Sequence, residues 1–484
     1  MDKQQSIQSG SGKQHAVVIG ASMAGLLAAR ALSDHFEQVT IIERDQLTDD
    51  TEPRRGVPQG RHAHALLAGG ASVLGELFPD LFPALARDGA VPLCISDIRW
   101  YTFGAWMKPV PTPVKTLVQS RPFLEQHVRD SLAVRSNVRF IDACEVTQLC
   151  AHDERITGVA LRHRTGEQRE EILSANLVVD ASGRGSRAPQ WLASLGYGHV
   201  EESSVKIDVG YATRIYRRPA QLSADWKLLI VYGTPPGDKR GGLVLPMEGG
   251  CWMVTLAGGQ RDYPPDDEAG FLDYARSLAI PHLYEAIKDA EPVTHIVTYK
   301  YSSNRWRHYE RLPRLPEGFI VMGDAVCSFN PVYGQGMSVA ALEAKLLDTC
   351  LRDQQRHGTR DGISGLPQRF QKAIAKVVKT PWMLTTGEDF RYPQTEGKRP
   401  LGMNLFNWYT RRVIELTASN PLVTVRFFQV RHLLKPLATL FHPRIVWAVL
   451  SKDLASHQQK PEAPPTTNEV SSPLPTHTMD AVAK

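Results

Sequence analysis

An apolar run at residues 16–19 ends in Gly-Ala-Ser-Met-Ala-Gly (20–25). An Ala- and Leu-rich stretch at helical spacing follows over 26–32, and a second apolar run at 39–42 closes on Glu43. A chain that begins this way is committed to a β-α-β unit. Its turn keeps the spacing of the dinucleotide fingerprint, with Ser22 in the place of the middle glycine. Gly20 serves the tight turn, a minimal side chain at 22 lets backbone N–H groups approach a pyrophosphate, and Gly25 belongs where helix packs on strand. Glu43 lies 23 residues after Gly20, at the strand end where a carboxylate suits a ribose diol. The plain alternative is an ordinary strand-to-helix turn with a surface carboxylate.

Two later segments repeat the theme of an apolar strand running into glycine. One is LVVDASGRGSR at 177–187; the other is GFIVMGDAVCSFNPVYGQGM at 318–337, which leads into a helical run over 338–347. The second places a helix N-terminus beside a Gly-Gln-Gly turn, where partial positive charge favours an anion. A further loop, PRRGVPQGR at 53–61, precedes a helix expected to begin near His64, and its arginines point to a nearby anion.

The remaining chain sets the scale of the fold. At 484 residues two or three packed units are expected. A net charge of +5, from 56 basic and 51 acidic side chains without a block of five Lys/Arg, points away from nucleic acid. Six cysteines without a CxxC pair argue against a disulfide framework and a zinc site, and favour a reducing cytoplasm. The first fourteen residues lack the apolar core of a secretory signal, and no run of eighteen apolar residues occurs. Strand patterns at 207–216, 227–232, 242–246, 252–257 and 294–299 predict a separate sheet broken by one helix near 267–289. A small β-meander is expected over 137–180, an aromatic insertion over 89–118, helices from 338 to about 456, and a disordered Pro/Thr/Ser-rich tail beyond.

The fingerprint near the N-terminus, the DASG turn and the GDA…P…GQG segment, in this order, resemble the FAD-binding monooxygenases of the para-hydroxybenzoate hydroxylase fold group. The resemblance spans roughly residues 14–350. The DASG form resembles epoxidases, reductases and halogenases of that group more than phenol hydroxylases, and RRGVPQGRHAH at 54–64 is similar to a signature of bacterial polyketide and polyene epoxidases. It implies a mixed α/β fold: a Rossmann-like FAD domain of discontinuous segments (14–88, 119–198, 301–356), a β-sheet substrate domain (89–118, 199–300) and a C-terminal helical region (357–456), with the tail at 457–484. It also implies that Gly20, Ser22 and Gly25 meet the pyrophosphate, with Met23 and Ala24 also binding the cofactor, Glu43 and Arg44 the adenosine, and Val146 the adenine. Arg121 would point toward FAD and Asp324 would meet the ribityl chain. Gly334, Gln335, Gly336 and Met337 would face the isoalloxazine, and Pro331 would also bind the cofactor.

The implied reaction is NAD(P)H- and O2-dependent epoxidation or hydroxylation of a lipophilic polyene, terpenoid or aromatic metabolite through a flavin C4a-hydroperoxide. The flavin carries that chemistry, so no side chain is nominated as catalytic. A reductase of isoprenoid double bonds shares the same loops. A halogenase is disfavoured by the missing WxWxIP motif, and a flavin-binding protein without activity stays open because fold and site chemistry are separable. His62 and His64 form an HxH without further ligands at metal spacing, so no metal is expected. Trp100, Tyr101, Phe103, Trp106, Tyr232 and Trp252 are candidates for an apolar substrate cavity or for plain core. The basic, apolar segment 422–436 is read either as a peripheral membrane contact or as a helix packed on its own domain.

Overall fold

The computed structural model describes residues 14–48, 53–54, 56–111, 115–165, 170–220, 224–357 and 363–458; the N-terminal leader and nearly all of the expected disordered tail lie outside them. Its organising layer is a five-stranded parallel sheet in the order Phe319–Val321, Leu177–Asp180, His15–Ile19, Gln38–Ile42, Val138–Ile141. These strands read FIV, LVVD, HAVVI, QVTII and VRFI, the near-continuous apolar runs expected where both faces of a sheet are covered. Helix Met23–Leu32 packs on this sheet, and the long helix Gly336–His357 packs against that helix. All three glycine turns read from sequence therefore leave adjacent strands at the same, carboxyl-terminal edge of one sheet, which is where open α/β sheets bind ligands.

A second, nine-stranded mixed sheet holds Glu202–Arg217, Leu228–Tyr232, Arg240–Met247, Cys251–Gly258 and Val297–Arg307. The expected sheet is present with longer strands, and Val297–Arg307 runs across the expected domain boundary at 300/301. The helix expected near 267–289 is two, Glu268–Arg276 and His282–Ile287, both packed into the core beneath this sheet. The aromatic insertion contributes Ile98–Thr102, which pairs in parallel with Leu228–Tyr232. The expected meander is a three-stranded sheet over 144–174, whereas Val138–Ile141 and Leu177–Asp180 belong to the parallel sheet.

The C-terminal region is helical as expected: Leu366–Asp389, Met403–Leu416, Pro421–Arg431 and Pro443–Gln458. Of the two readings of segment 422–436, the second holds: its helix packs on the protein itself. Val423, Phe428 and Val430 are buried against two separate clusters, and apolar and basic residues alternate around the helix. No described helix is long and apolar enough to cross a membrane.

Candidate functional site

At the edge of the parallel sheet lies a cleft of about 470 Å³. Gly20, Ser22, Met23, Ala24, Glu43, Arg44, Arg121, Val146, Asp324, Pro331, Gly334, Gln335, Gly336 and Met337 all line it. Gly25 does not. A Cβ there would stand 1.7 Å from the Gly20 carbonyl oxygen, so Gly25 is the crossing point of helix and strand. Gly20 has φ +102°, and a Cβ on it would stand 2.7 Å from the Ala181 oxygen, which joins the first glycine turn to the second.

Ser22 caps helix Met23–Leu32 by position only; its side chain makes no capping bond. The first amides of that helix are thus left for a ligand. The Ser22 hydroxyl donates instead to Glu125 Oε2 at 3.0 Å and accepts from Arg121 Nη2 at 2.7 Å. Arg54 joins this network from the Pro/Gly/Arg loop. Its guanidinium meets Glu43 Oε2 at 3.1 Å and also bonds Glu125, while donating to the Ala21 carbonyl at 3.0 Å. Glu43 also accepts the backbone N–H groups of Ala21 (2.8 Å) and Asp45 (3.0 Å). Read from sequence as a sugar ligand, Glu43 therefore also fixes the fingerprint turn. Sequence reasoning missed Arg54 and Glu125 as site residues. The signal was present in the i,i+4 spacing of Arg121 and Glu125 and in the charge of the 53–61 loop.

His62 and His64 have assignments other than a metal. His62 Nδ1 lies 2.8 Å from Thr213 Oγ1, and burial pulls its pKa down to about 4. His64 Nε2 accepts from Arg121 Nη1 at 3.2 Å while Nδ1 faces the His62 carbonyl at 2.9 Å. Burial and then the charge of Arg121 lower its pKa to about 3, so His64 is neutral with its proton on Nδ1. The helix expected near His64 starts at Ala68, because a 3-10 turn at Pro58–Arg61 and an extended stretch carry the histidines to the cleft.

The DASG turn is held by its own aspartate. Asp180 is fully buried and accepts from Ser182 N (2.9 Å), Ser182 Oγ (2.5 Å) and Ser186 Oγ (2.6 Å), while Gly183 and Arg184 line the cleft. Arg184 is anchored by Ser328 Oγ (2.7 Å), Tyr301 Oη (3.1 Å) and Ser303 Oγ (3.1 Å). Asp324 has no hydrogen-bond partner among the described residues. Burial raises its pKa, and the charges of Arg121 and Arg184 oppose that rise.

An elongated, polyhydroxylated, anionic ligand fits this donor set. It would find bare helix amides for a diphosphate, the uncommitted Asp324 carboxyl for hydroxyls, and the unpartnered, buried Gln335 Nε2 beside Gly334 and Gly336. Behind Asp324, Glu343 accepts the Gly323 N–H at 2.6 Å, and its other oxygen has no partner. Burial pushes its pKa up to about 8. A raised carboxyl holds its proton in the fold longer than in the unfolded chain, so its stabilisation is complete below about pH 4.5 and is lost as pH rises through about 8. Glu343→Gln keeps the acceptor and removes the ionisation. The variant is expected to gain on the parent progressively across this window, reaching roughly 4 kcal/mol at the alkaline end. Urea melts at several pH values check this, and a pH-independent difference would refute it.

Two apolar chambers continue from the cleft. The near one, of about 170 Å³, shares His64, Tyr299, Pro331 and Gly334 with the cleft and is otherwise lined by residues such as Leu93, Ile98, Leu228 and Leu245. The far one, of about 160 Å³, shares Trp100, Tyr232, Val332, Tyr333 and Arg431 with the near one. Of the aromatic candidates, Trp100, Phe103 and Tyr232 line chambers. Tyr101 and Trp106 pack edge-on against each other, and Trp252 stacks on Trp226 in the core.

No protein-family model matches the sequence. Protein Rv3254 of Mycobacterium tuberculosis is 35% identical over 393 residues, covering 79% of this chain and 81% of that protein. Kynurenine 3-monooxygenase of Salinispora tropica is 24% identical over 70% of this chain and 73% of its own length. The chain belongs to the FAD-dependent monooxygenases. The solved flavin-dependent brominase Bmp2 superposes with TM-score 0.64 at 14% identity, covering 92% of this monooxygenase and all of that chain, a likeness of fold. FAD is the cofactor of the monooxygenase and a nicotinamide its reductant.

Proposed function

We propose that this monooxygenase inserts oxygen into an extended, largely apolar metabolite, by epoxidation or hydroxylation, within the paired chambers beside the cleft. The observation that carries the proposal is the continuity of an apolar space with the cleft along residues 330–334. In this assignment Gly20, Ser22, Met23 and Ala24 hold the diphosphate of FAD. Glu43, Arg44 and Val146 hold the adenosine, Asp324 the ribityl hydroxyls, and Pro331, Gly334, Gln335, Gly336 and Met337 the ring. FAD supplies hydride acceptance from the nicotinamide and activation of dioxygen.

The protein's own part is placement and exclusion of water. The 330–334 segment is pinned by a buried network: Asn330 N donates to Asn304 Oδ1 (2.5 Å), Tyr211 Oη to Asn330 Oδ1 (2.9 Å), and Asn330 Nδ2 to Asp389 Oδ1 (2.9 Å). Such a fully bonded network fixes the wall between cofactor and substrate space, while the leucines and isoleucine of the near chamber keep it dry.

The test is turnover of the flavin-loaded protein with NADPH and a panel of polyenes, terpenoids and aromatics under 18O2. Substrate-stimulated NADPH oxidation with 18O in the product is expected. Turnover that persists without oxygen would replace the proposal with a reductase, and a product that requires halide would replace it with a halogenase.

A further inference from the structure

The wall between the two chambers carries a cation that the apolar lining does not explain. Arg431, the last residue of helix Pro421–Arg431, lines both chambers. Its guanidinium carbon lies 5.2 Å from the ring centre of Tyr333 and 5.9 Å from that of Trp100. It makes no side-chain hydrogen bond or ion pair with any described residue. The carboxylates nearby are already engaged. Glu388 takes a two-pronged bond from Arg391, at 2.8 and 2.9 Å. Asp389 accepts from Asn304 Nδ2 (2.7 Å), Asn330 Nδ2 (2.9 Å) and Tyr333 Oη (3.1 Å), and burial pushes its pKa up to about 7. The Tyr232 hydroxyl, on the same shared wall, also has no bond among the described residues; burial raises its pKa to about 12, so it remains a donor.

Glu388 acts on Arg431 only through its charge, without a bond, and a buried guanidinium with no bonded counter-ion is costly to maintain unless a ligand completes it. Two aromatic faces hold it in position but leave its N–H edge unmatched. Its planar fork matches a carboxylate, and a single arginine compensates a monoanion rather than a phosphate dianion.

Resting on the assignment of the chambers to substrate, we propose that the substrate is an extended apolar carboxylate, its anionic head held by Arg431 and Tyr232 at the junction of the two chambers. The apolar body then reaches through the near chamber toward the cleft, so the carboxylate sets how far along the chain oxygen is inserted.

The test uses the flavin-loaded protein and a matched pair of probes, ω-phenylhexanoate and ω-phenylhexanol, titrated calorimetrically at neutral pH without NADPH. The parent is expected to bind the carboxylate roughly ten-fold more tightly than the alcohol. Arg431→Met is expected to abolish that preference while leaving alcohol affinity within about two-fold. Should Arg431→Met lose its flavin, Arg431→Lys takes its place: the planar fork is gone, and the preference is expected to fall at least about three-fold. A parent that binds neither probe, or both equally, overturns the assignment, as does an undiminished preference in the tested variant. Since the readout is affinity without turnover, failure of the oxygenation proposal leaves this result standing, and the reverse also holds.

Discussion

Gly25→Val is expected to yield a colourless protein. Even the Cβ of alanine would stand 1.7 Å from the Gly20 carbonyl oxygen, inside any tolerated contact, and the atom it meets is backbone in the fingerprint turn itself. Relief requires helix Met23–Leu32 to move off strand His15–Ile19, which carries its bare amides away from the cleft and displaces the Gly20 carbonyl. FAD affinity should fall at least about a hundred-fold, equivalent to roughly 3 kcal/mol, with the sheet retained by far-ultraviolet circular dichroism. Gly196→Ala, away from the cleft, is the control. Its φ is +80°, but nothing lies within 4 Å of its added Cβ, so only backbone strain of about 1 kcal/mol is expected. Flavin-to-protein ratios after purification and reconstitution titrations separate the two. Flavin retained by Gly25→Val would show that the close helix–strand crossing does not govern binding.

Arg54→Met should lower stability by about 3–5 kcal/mol, the usual consequence of removing one partner from a buried charge cluster. Arg54 stands between Glu43 and Glu125, and all three side chains are within a tenth of full burial. Without the guanidinium the two carboxylates face each other's charge, and among the described residues Arg121, 3.7 Å from Glu125, is left to compensate. A second substitution, Glu125→Gln, removes one of the two facing charges and should recover part of the loss. Chemical melts of the flavin-free proteins provide the measurement. No recovery in the double variant would mean that the loss is one of packing rather than of charge.

The cleft was legible because phosphate-binding turns are written locally. Gly20, Ser22 and Gly25 sit within six residues, Gly334 to Met337 within four, and their conformational demands are met by residue type alone. The same holds for the parallel strands, whose unbroken apolar runs state that both faces are covered. Arg54, Glu125 and Arg431 were visible as charges but not as site residues, because their roles depend on partners 71, 103 and 98 positions away: Arg54 with Glu125, Glu125 with Ser22, Arg431 with Tyr333. Arg431 is the sharpest instance. Within its segment it is one basic residue among apolar ones, a pattern equally suited to a membrane surface or a packed helix.

Sequence by itself determined the three glycine turns, the apolar strands and thus an α/β body with a cleft for a large anionic cofactor, since each follows from backbone geometry and side-chain size over a few neighbouring residues. Only the tertiary structure decided that Glu43 locks the fingerprint turn through Arg54, that Trp252 is core while Trp100 and Tyr232 face a chamber, and that Arg431 looks inward. The reason is physical: burial and the pairing of charges are properties of what the chain folds against, and a strand or helix carries no record of its neighbours in its own sequence.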